Sequence, residues 1–192
     1  MRGSRDQCKH ATRRQIIAGA TGWSAATAVG AWPRCSDASF WRIKERKVAL
    51  HNLWTEEYLE LIYWRDGVYL AEPLTQFDYL LRDWRSHQIG KMFRGVFDQL
   101  FWLNQTLGGE TTFGVISGFR SVETNKMLKK TSEGVATNSL HTYGMAIDVR
   151  VQGVASTHVW RQAIELGMGG VGLYRSSDFV HLDVGPVRSW DG

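Results

Sequence analysis

Residues 47–53 and 58–64 concentrate apolar and aromatic side chains, and Asp66-Gly67 marks a turn before Val68-Tyr69-Leu70. Short apolar runs bounded by turn residues predict strands, here a small antiparallel unit. The period then changes. Leu74, Phe77, Leu80, Leu81 and Trp84 recur at three- and four-residue steps, which makes one face of a helix apolar. Pro73 stands where the start of that helix tolerates it. Phe93, Val96, Phe97, Leu100 and Leu107 repeat the pattern in a second helix. The aromatic side chains in both stripes read as core packing.

Beyond Gly108-Gly109 the elements shorten. Residues 113–116 predict an apolar strand ending at Ser117-Gly118, and Ser121 is placed to cap a short helix through Leu128. Residues 145–151 alternate as a strand does. Residues 156–166 read as a helix with Val159, Trp160, Ala163 and Ile164 inward. Residues 171–174 and 179–184 predict two strands joined by the polar turn Arg175-Ser176-Ser177. Strands and helices mixed without regular alternation point to the α+β class. The expected domain, residues 47–192, has a small antiparallel sheet flanked by helices, preceded by a polar linker over 34–46.

A length of 192 residues suits one domain with one sizeable core. The net charge of +4 would suggest a nucleic-acid partner if it lay on the folded part. It does not. Residues 1–28 carry Arg2, Arg5, Lys9, Arg13 and Arg14 against Asp6 alone, which accounts for the whole excess. No phosphate-neutralising face is therefore expected. Arg13-Arg14 instead opens a weakly apolar, Ala- and Gly-rich run from Ile16 to Trp32, with Ala26-Thr27-Ala28 as a small-residue cleavage site. That order describes an export signal over residues 1–33, of the kind the twin-arginine machinery reads. The expected destination is the periplasm or cell envelope, with the signal removed. Of the two cysteines, Cys8 lies in the signal and Cys35 follows Trp32-Pro33-Arg34, an unsuitable setting for a lipid anchor. No internal disulfide, no stable membrane anchor and a monomer are expected.

Two of the six histidines have distinctive neighbours. His141 precedes Asp148 by seven positions, with Gly144 between them to allow a tight turn. In Phe179-Val180-His181-Leu182-Asp183, alternation puts Phe179, His181 and Asp183 on one face. If the two strands pair, His141, Asp148 and His181 converge. Two neutral imidazoles and a carboxylate, with a fourth position for water, suit catalytic zinc. A buried histidine bonded to a carboxylate would produce the same spacing without metal.

Three segments sharpen this choice: Ser117-Gly118-Phe119-Arg120-Ser121, Ser139-Leu140-His141-Thr142-Tyr143-Gly144-Met145-Ala146-Ile147-Asp148, and Phe179-Val180-His181-Leu182-Asp183. They resemble the D-Ala-D-Ala metallopeptidase family, whose zinc scaffold is shared with lysostaphin-type enzymes and the hedgehog signalling domain. The resemblance is strongest to murein endopeptidases of the YcbK/MepK type. It extends to Tyr63-Trp64-Arg65-Asp66-Gly67, Gly169-Gly170-Val171-Gly172 and Gly185-Pro186-Val187-Arg188-Ser189-Trp190. It implies His141, Asp148 and His181 as Zn2+ ligands, and Arg120 as the residue that holds substrate and the developing oxyanion. A guanidinium fork suits both tasks. It implies peptidoglycan stem peptides as substrate.

The expected chemistry is metal-assisted hydrolysis, with a carboxylate as general base. Asp178, three residues before His181, is the first candidate, although strict alternation turns it away from the His181 face. Asp183 is the second, with orientation of His181 as its other role. Ser139, Tyr143, Tyr174 and Trp190 are candidate substrate contacts. Endopeptidase and carboxypeptidase action remain open, as does a non-catalytic wall-binding module on the same scaffold. A redox or cofactor protein finds no support, since there is no Cys cluster, haem motif or Gly-rich dinucleotide loop.

Overall fold

A computed structural model describes residues 43–131 and 136–192. The expected export segment 1–33 and most of the expected 34–46 linker lie outside them. The sheet begins inside the expected linker: β1 is Glu45–Asn52, and Ile43 before it already packs on the core.

β2 (Tyr58–Arg65) and β3 (Val68–Tyr69) complete an antiparallel meander with β1. Two helices follow, α1 (Ala71–Leu80) and α2 (Arg94–Thr106), and then β4 (Thr112–Ser117). β4 returns beside β1 in the same direction, which an intervening helical crossover permits. After α3 (Val122–Thr131) come β5 (Ala146–Val151), α4 (Ser156–Leu166), β6 (Gly170–Tyr174), β7 (Phe179–Asp183) and β8 (Arg188–Asp191).

The strands form one sheet in the order β3-β2-β1-β4-β5-β7-β6-β8. The α+β class holds, but the sheet is wider than the small unit expected, and β1/β4 and β6/β8 are parallel pairs. β8 was not expected as a strand. Its four residues are mostly exposed, and pairing with β6 rather than an apolar pattern defines it.

Alternation sorts the two faces. Phe113 and Val115 of β4, Ile147 and Val149 of β5, and Val180 and Leu182 of β7 are buried in the core, where α4 packs on β5 and β7, α2 on β1 and β7, and α1 on β2. The intervening residues Asp148, Arg150, Phe179 and His181 face the other side, where they line a groove. The sheet thus has a structural face and a chemical face.

Each helix follows from its sequence. α1 starts two residues before Pro73, which still falls in the first turn, where its missing N–H costs nothing. The apolar stripe continues to Trp84 in sequence, but the helix stops at Leu80 and Trp84 lies in the following loop. α3 begins where expected: the Ser121 hydroxyl accepts the Thr124 N–H at 3.1 Å and caps the helix.

The core is centred on Phe97 of α2. Its ring lies 5.2 Å from Phe77 of α1 and 5.7 Å from Tyr63 of β2, all three fully buried. One residue on, Asp98 accepts hydrogen bonds from Arg46, Tyr63 and Tyr69, which ties α2 to the meander. Phe97→Ala is expected to cost about 3–5 kcal/mol. In urea the midpoint should fall with an unchanged slope. A loss below about 1 kcal/mol would show that the helix layer does not depend on this ring.

Candidate metal centre

β5 and β7 pair antiparallel with Asp148 directly opposite His181. Their side chains rise side by side on the chemical face, as cross-strand neighbours must. His141 reaches them from a 3-10 turn, Leu140–Tyr143, that enters β5. The turn closes through Gly144 in the left-handed region at φ 65°. A Cβ there would also sit 2.1 Å from the Lys91 carbonyl oxygen, so no other residue fits without rebuilding the turn.

Three ligand-type groups therefore meet. His141 Nε2 is 3.3 Å from His181 Nδ1 and 3.2 Å from Asp148 Oδ2, and His181 Nδ1 is 2.8 Å from Asp148 Oδ1. The outer nitrogen of each imidazole is already used. His141 Nδ1 donates to the Gly118 carbonyl at 2.8 Å, and His181 Nε2 donates to Asp183 at 3.0 Å. His141 must then turn an unshared pair inward, toward a second nitrogen and a carboxylate. Such a group of acceptors requires a cation or a proton between them. Ligand atoms around a tetrahedral ion with bonds of 2.0–2.1 Å lie about 3.3 Å apart, which the two nitrogens match. The donor set and spacing fit a divalent cation.

The charges agree. Burial opposes ionisation of Asp148, yet His141 and His181 hold its carboxyl far below the usual range. Burial likewise opposes a charge on His181, but Asp148 and Asp183 on either side outweigh it and raise the imidazole to about 9.

Arg120 lies beside the cluster. Its guanidinium is 3.7 Å from Asp148 Oδ2 and donates to Ser117 Oγ and Asn125 Oδ1. Its backbone N–H donates to the His141 carbonyl at 3.1 Å, which ties the two loops together. The groove has a volume of about 650 Å³, within the usual range for ligand sites. Ser139, Tyr174 and Trp190 line it. Trp190 lies 5.4 Å from the His181 ring and over Gly172, where a Cβ would meet the indole at 2.4 Å. Tyr143 is 63% exposed and does not line the groove.

The two candidate bases separate. Asp178 sits in the β6–β7 turn at φ 49° and accepts the Ser156 hydroxyl at 2.6 Å, at the start of α4. It does not line the groove, because the strand begins only at Phe179 and the turn points the carboxylate elsewhere. Asp178 therefore does not face the cluster as a general base would. Asp183 is fully buried and saturated. It accepts from His181, from both terminal nitrogens of Arg188, and from the Gly185 and Gly170 N–H groups. Burial alone would raise its pKa, but His181 and Arg188 hold it well below the usual carboxylate range. It is built to orient His181 rather than to take up a proton.

Sequence reasoning missed the roles of Arg188, Asn125 and Asp83. Asp83 is buried between two loops. It accepts the Ser121 N–H at 2.9 Å and the Arg85 N–H at 3.0 Å. Burial would raise its carboxyl, but hydrogen bonds from Thr124, Ser121 and Arg85 bring it down to about 2. Asp83 is 38 residues from Ser121, so no local pattern announces the contact.

A sheet with α1, α2 and α4 packed on one face and a two-histidine, one-aspartate cluster on the other is the arrangement of a metal-dependent hydrolase. The peptidase M15 family model described as peptidoglycan L,D-endopeptidase MepK matches residues 41–190, and the chain belongs to that family. The peptidoglycan L,D-endopeptidase MepK of Escherichia coli K12 is 38% identical over 147 residues, covering 77% of this chain and 81% of that one. The probable peptidoglycan L,D-endopeptidase MepK of Haemophilus influenzae is 39% identical over 150 residues, covering 78% and 81%.

Because Asp148 and Asp183 keep His181 protonated to about 9, a cation entering the cluster must displace a proton. Titrating zinc into chelator-stripped protein at pH 7 should release about one proton per ion, read by calorimetry in buffers of different ionisation enthalpy. Apparent affinity should rise about tenfold per unit between pH 6 and 8. Proton-neutral binding would show that His181 is already neutral before the ion enters.

Proposed function

We propose that this protein is an exported zinc hydrolase that cuts peptide bonds in peptidoglycan, as an L,D-endopeptidase that opens cross-links. The observation that carries the reading is the convergence of His141 Nε2, Asp148 and His181 Nδ1 on the groove, each imidazole locked by its outer nitrogen. Family membership supplies the substrate class. Zinc bound there would act as a Lewis acid on the scissile carbonyl and make water acidic enough to attack near neutral pH.

The chain's own residues have separate tasks. His141, Asp148 and His181 hold the ion. Asp183, itself pinned by Arg188, fixes the tautomer and plane of His181. Arg120 presents a guanidinium beside Asp148 and stabilises the oxyanion that develops at the scissile carbonyl. Ser139, Tyr174 and Trp190 form walls that seat the peptide.

One observation favours the second reading, a wall-binding module without catalysis. With Asp178 outside the groove, the carboxylates that line it among the described residues are Asp148 and Asp183, and both are already engaged. A digestion separates the two. Zinc-loaded protein is given defined cross-linked and uncross-linked muropeptides, and products are read by mass. Cross-link cleavage is expected, abolished by chelator and by His181→Ala. Asp178→Asn should retain activity within about threefold, since a surface turn residue contributes little. Muropeptides that bind the zinc-loaded protein yet stay intact would favour the binding module.

The cell envelope is the proposed location, and the paired arginines Arg13-Arg14 before the apolar run are the proposed route through the twin-arginine machinery. No helix among the described residues is long and apolar enough to cross a membrane. Replacing Arg13 and Arg14 together by Lys should trap full-length protein in the cytoplasm, seen by fractionation. Undiminished export of that variant would refute the route.

A further inference from the structure

The groove contains more positive charge than the metal centre and oxyanion stabilisation use. Arg120, Arg188, Arg150 and Arg85 all line it. Arg120 is near Asp148, Arg188 grips Asp183, and Arg150 donates to the Ser177 carbonyl. The Arg85 guanidinium has no ion pair or hydrogen bond among the described residues. Yet it is not a free surface side chain. Its guanidinium carbon lies 4.1 Å from the centre of the Trp84 ring. Trp84 stacks on Trp54 at 4.5 Å and 18°, and the Trp54 indole N–H donates to the Ile116 carbonyl of β4 at 2.8 Å. A stack of two indoles, anchored to the sheet, therefore supports this cation.

Its place relative to Arg120 is also fixed. Asp83 accepts the Arg85 and Ser86 N–H groups through one oxygen and the Ser121 N–H through the other. One buried carboxylate thus clamps the loop of Arg85 to the loop of Arg120. Burial works most strongly against the charge on Arg85, Asp83 supports that charge, and Arg120 opposes it less than Asp83 supports it.

We infer that Arg85 is a specificity-determining residue that binds a free carboxylate of the substrate residue flanking the cleaved bond, on the Arg120 side of the groove. This rests on the peptide-hydrolase reading for the identity of the substrate. The Trp84–Trp54 stack is the pedestal that orients the fork, and Asp83 sets its distance from Arg120.

The test uses two diaminopimelate-containing stem peptides that differ only in whether the carboxyl flanking the scissile bond is free or amidated. Binding to zinc-loaded protein is measured by calorimetry, and cleavage by mass. Wild type should bind the free acid at least about tenfold more tightly, as a charge-assisted fork permits at a partly exposed site. In Arg85→Gln the preference should fall to within about twofold, and Arg85→Lys should restore part of it, since the charge returns without the planar fork. Melting temperature and zinc content of each variant verify the fold. Cleavage with no preference, or a preference that survives Arg85→Gln, overturns the inference and leaves the hydrolase reading standing. A preference lost in Arg85→Gln without any cleavage supports the inference while the hydrolase reading falls. Failure of both peptides to bind overturns the inference.

Discussion

The antiparallel register that sets Asp148 opposite His181 is the constraint on which the rest of the structure depends. A strand has period two, so a slip of one residue would send both side chains through the sheet into the apolar layer. The register is held by the other face. Ile147 and Val149 of β5 and Val180 and Leu182 of β7 are fully or almost fully buried against the helices. The hydrophobic layer thus places charged groups that it never touches, and the metal cluster depends on core packing behind it.

Within that frame, each polar group is held by another. His141 is fixed by the Gly118 carbonyl, His181 by Asp183, and Asp183 by Arg188 and two backbone N–H groups. The cost of burying Asp183 is offset because every acceptor site is filled. Such an arrangement leaves little freedom in the imidazole planes, which a cation with short, directional bonds requires. The same logic, with looser contacts, extends through Asp83 to Arg120 and Arg85, where one buried carboxylate spaces two guanidiniums along the groove.

Much of this was legible in the chain. The helical stripe from Phe93, the short strands around Arg175-Ser176-Ser177 and the Ser121 cap depend on neighbours within about one turn or one hairpin, and local sequence states them. Of the site, the two distinctive histidines and Asp148 stood out by motif, and alternation already warned against Asp178. Less legible were features whose cause is distant. Trp84 continues an apolar stripe in sequence but leaves the helix to stack on Trp54. β8 has no apolar pattern and exists because β6 has a free edge. Tyr143 lies within the His141 motif, yet the 3-10 turn carries it out to solvent, since adjacent residues on such a turn point in different directions.

The sequence by itself determined the α+β class, the order of nearly all the elements, and the candidate metal-site side chains, because each of these is written in short-range periodicity or in a contiguous motif. Tertiary structure alone decided the width of the sheet, the parallel return of β4 beside β1, the retirement of Asp178 to a turn at α4, and the saturation of Asp183 by Arg188. These depend on which strands become neighbours and which groups compete for one acceptor. Contacts between residues far apart in the chain settle both.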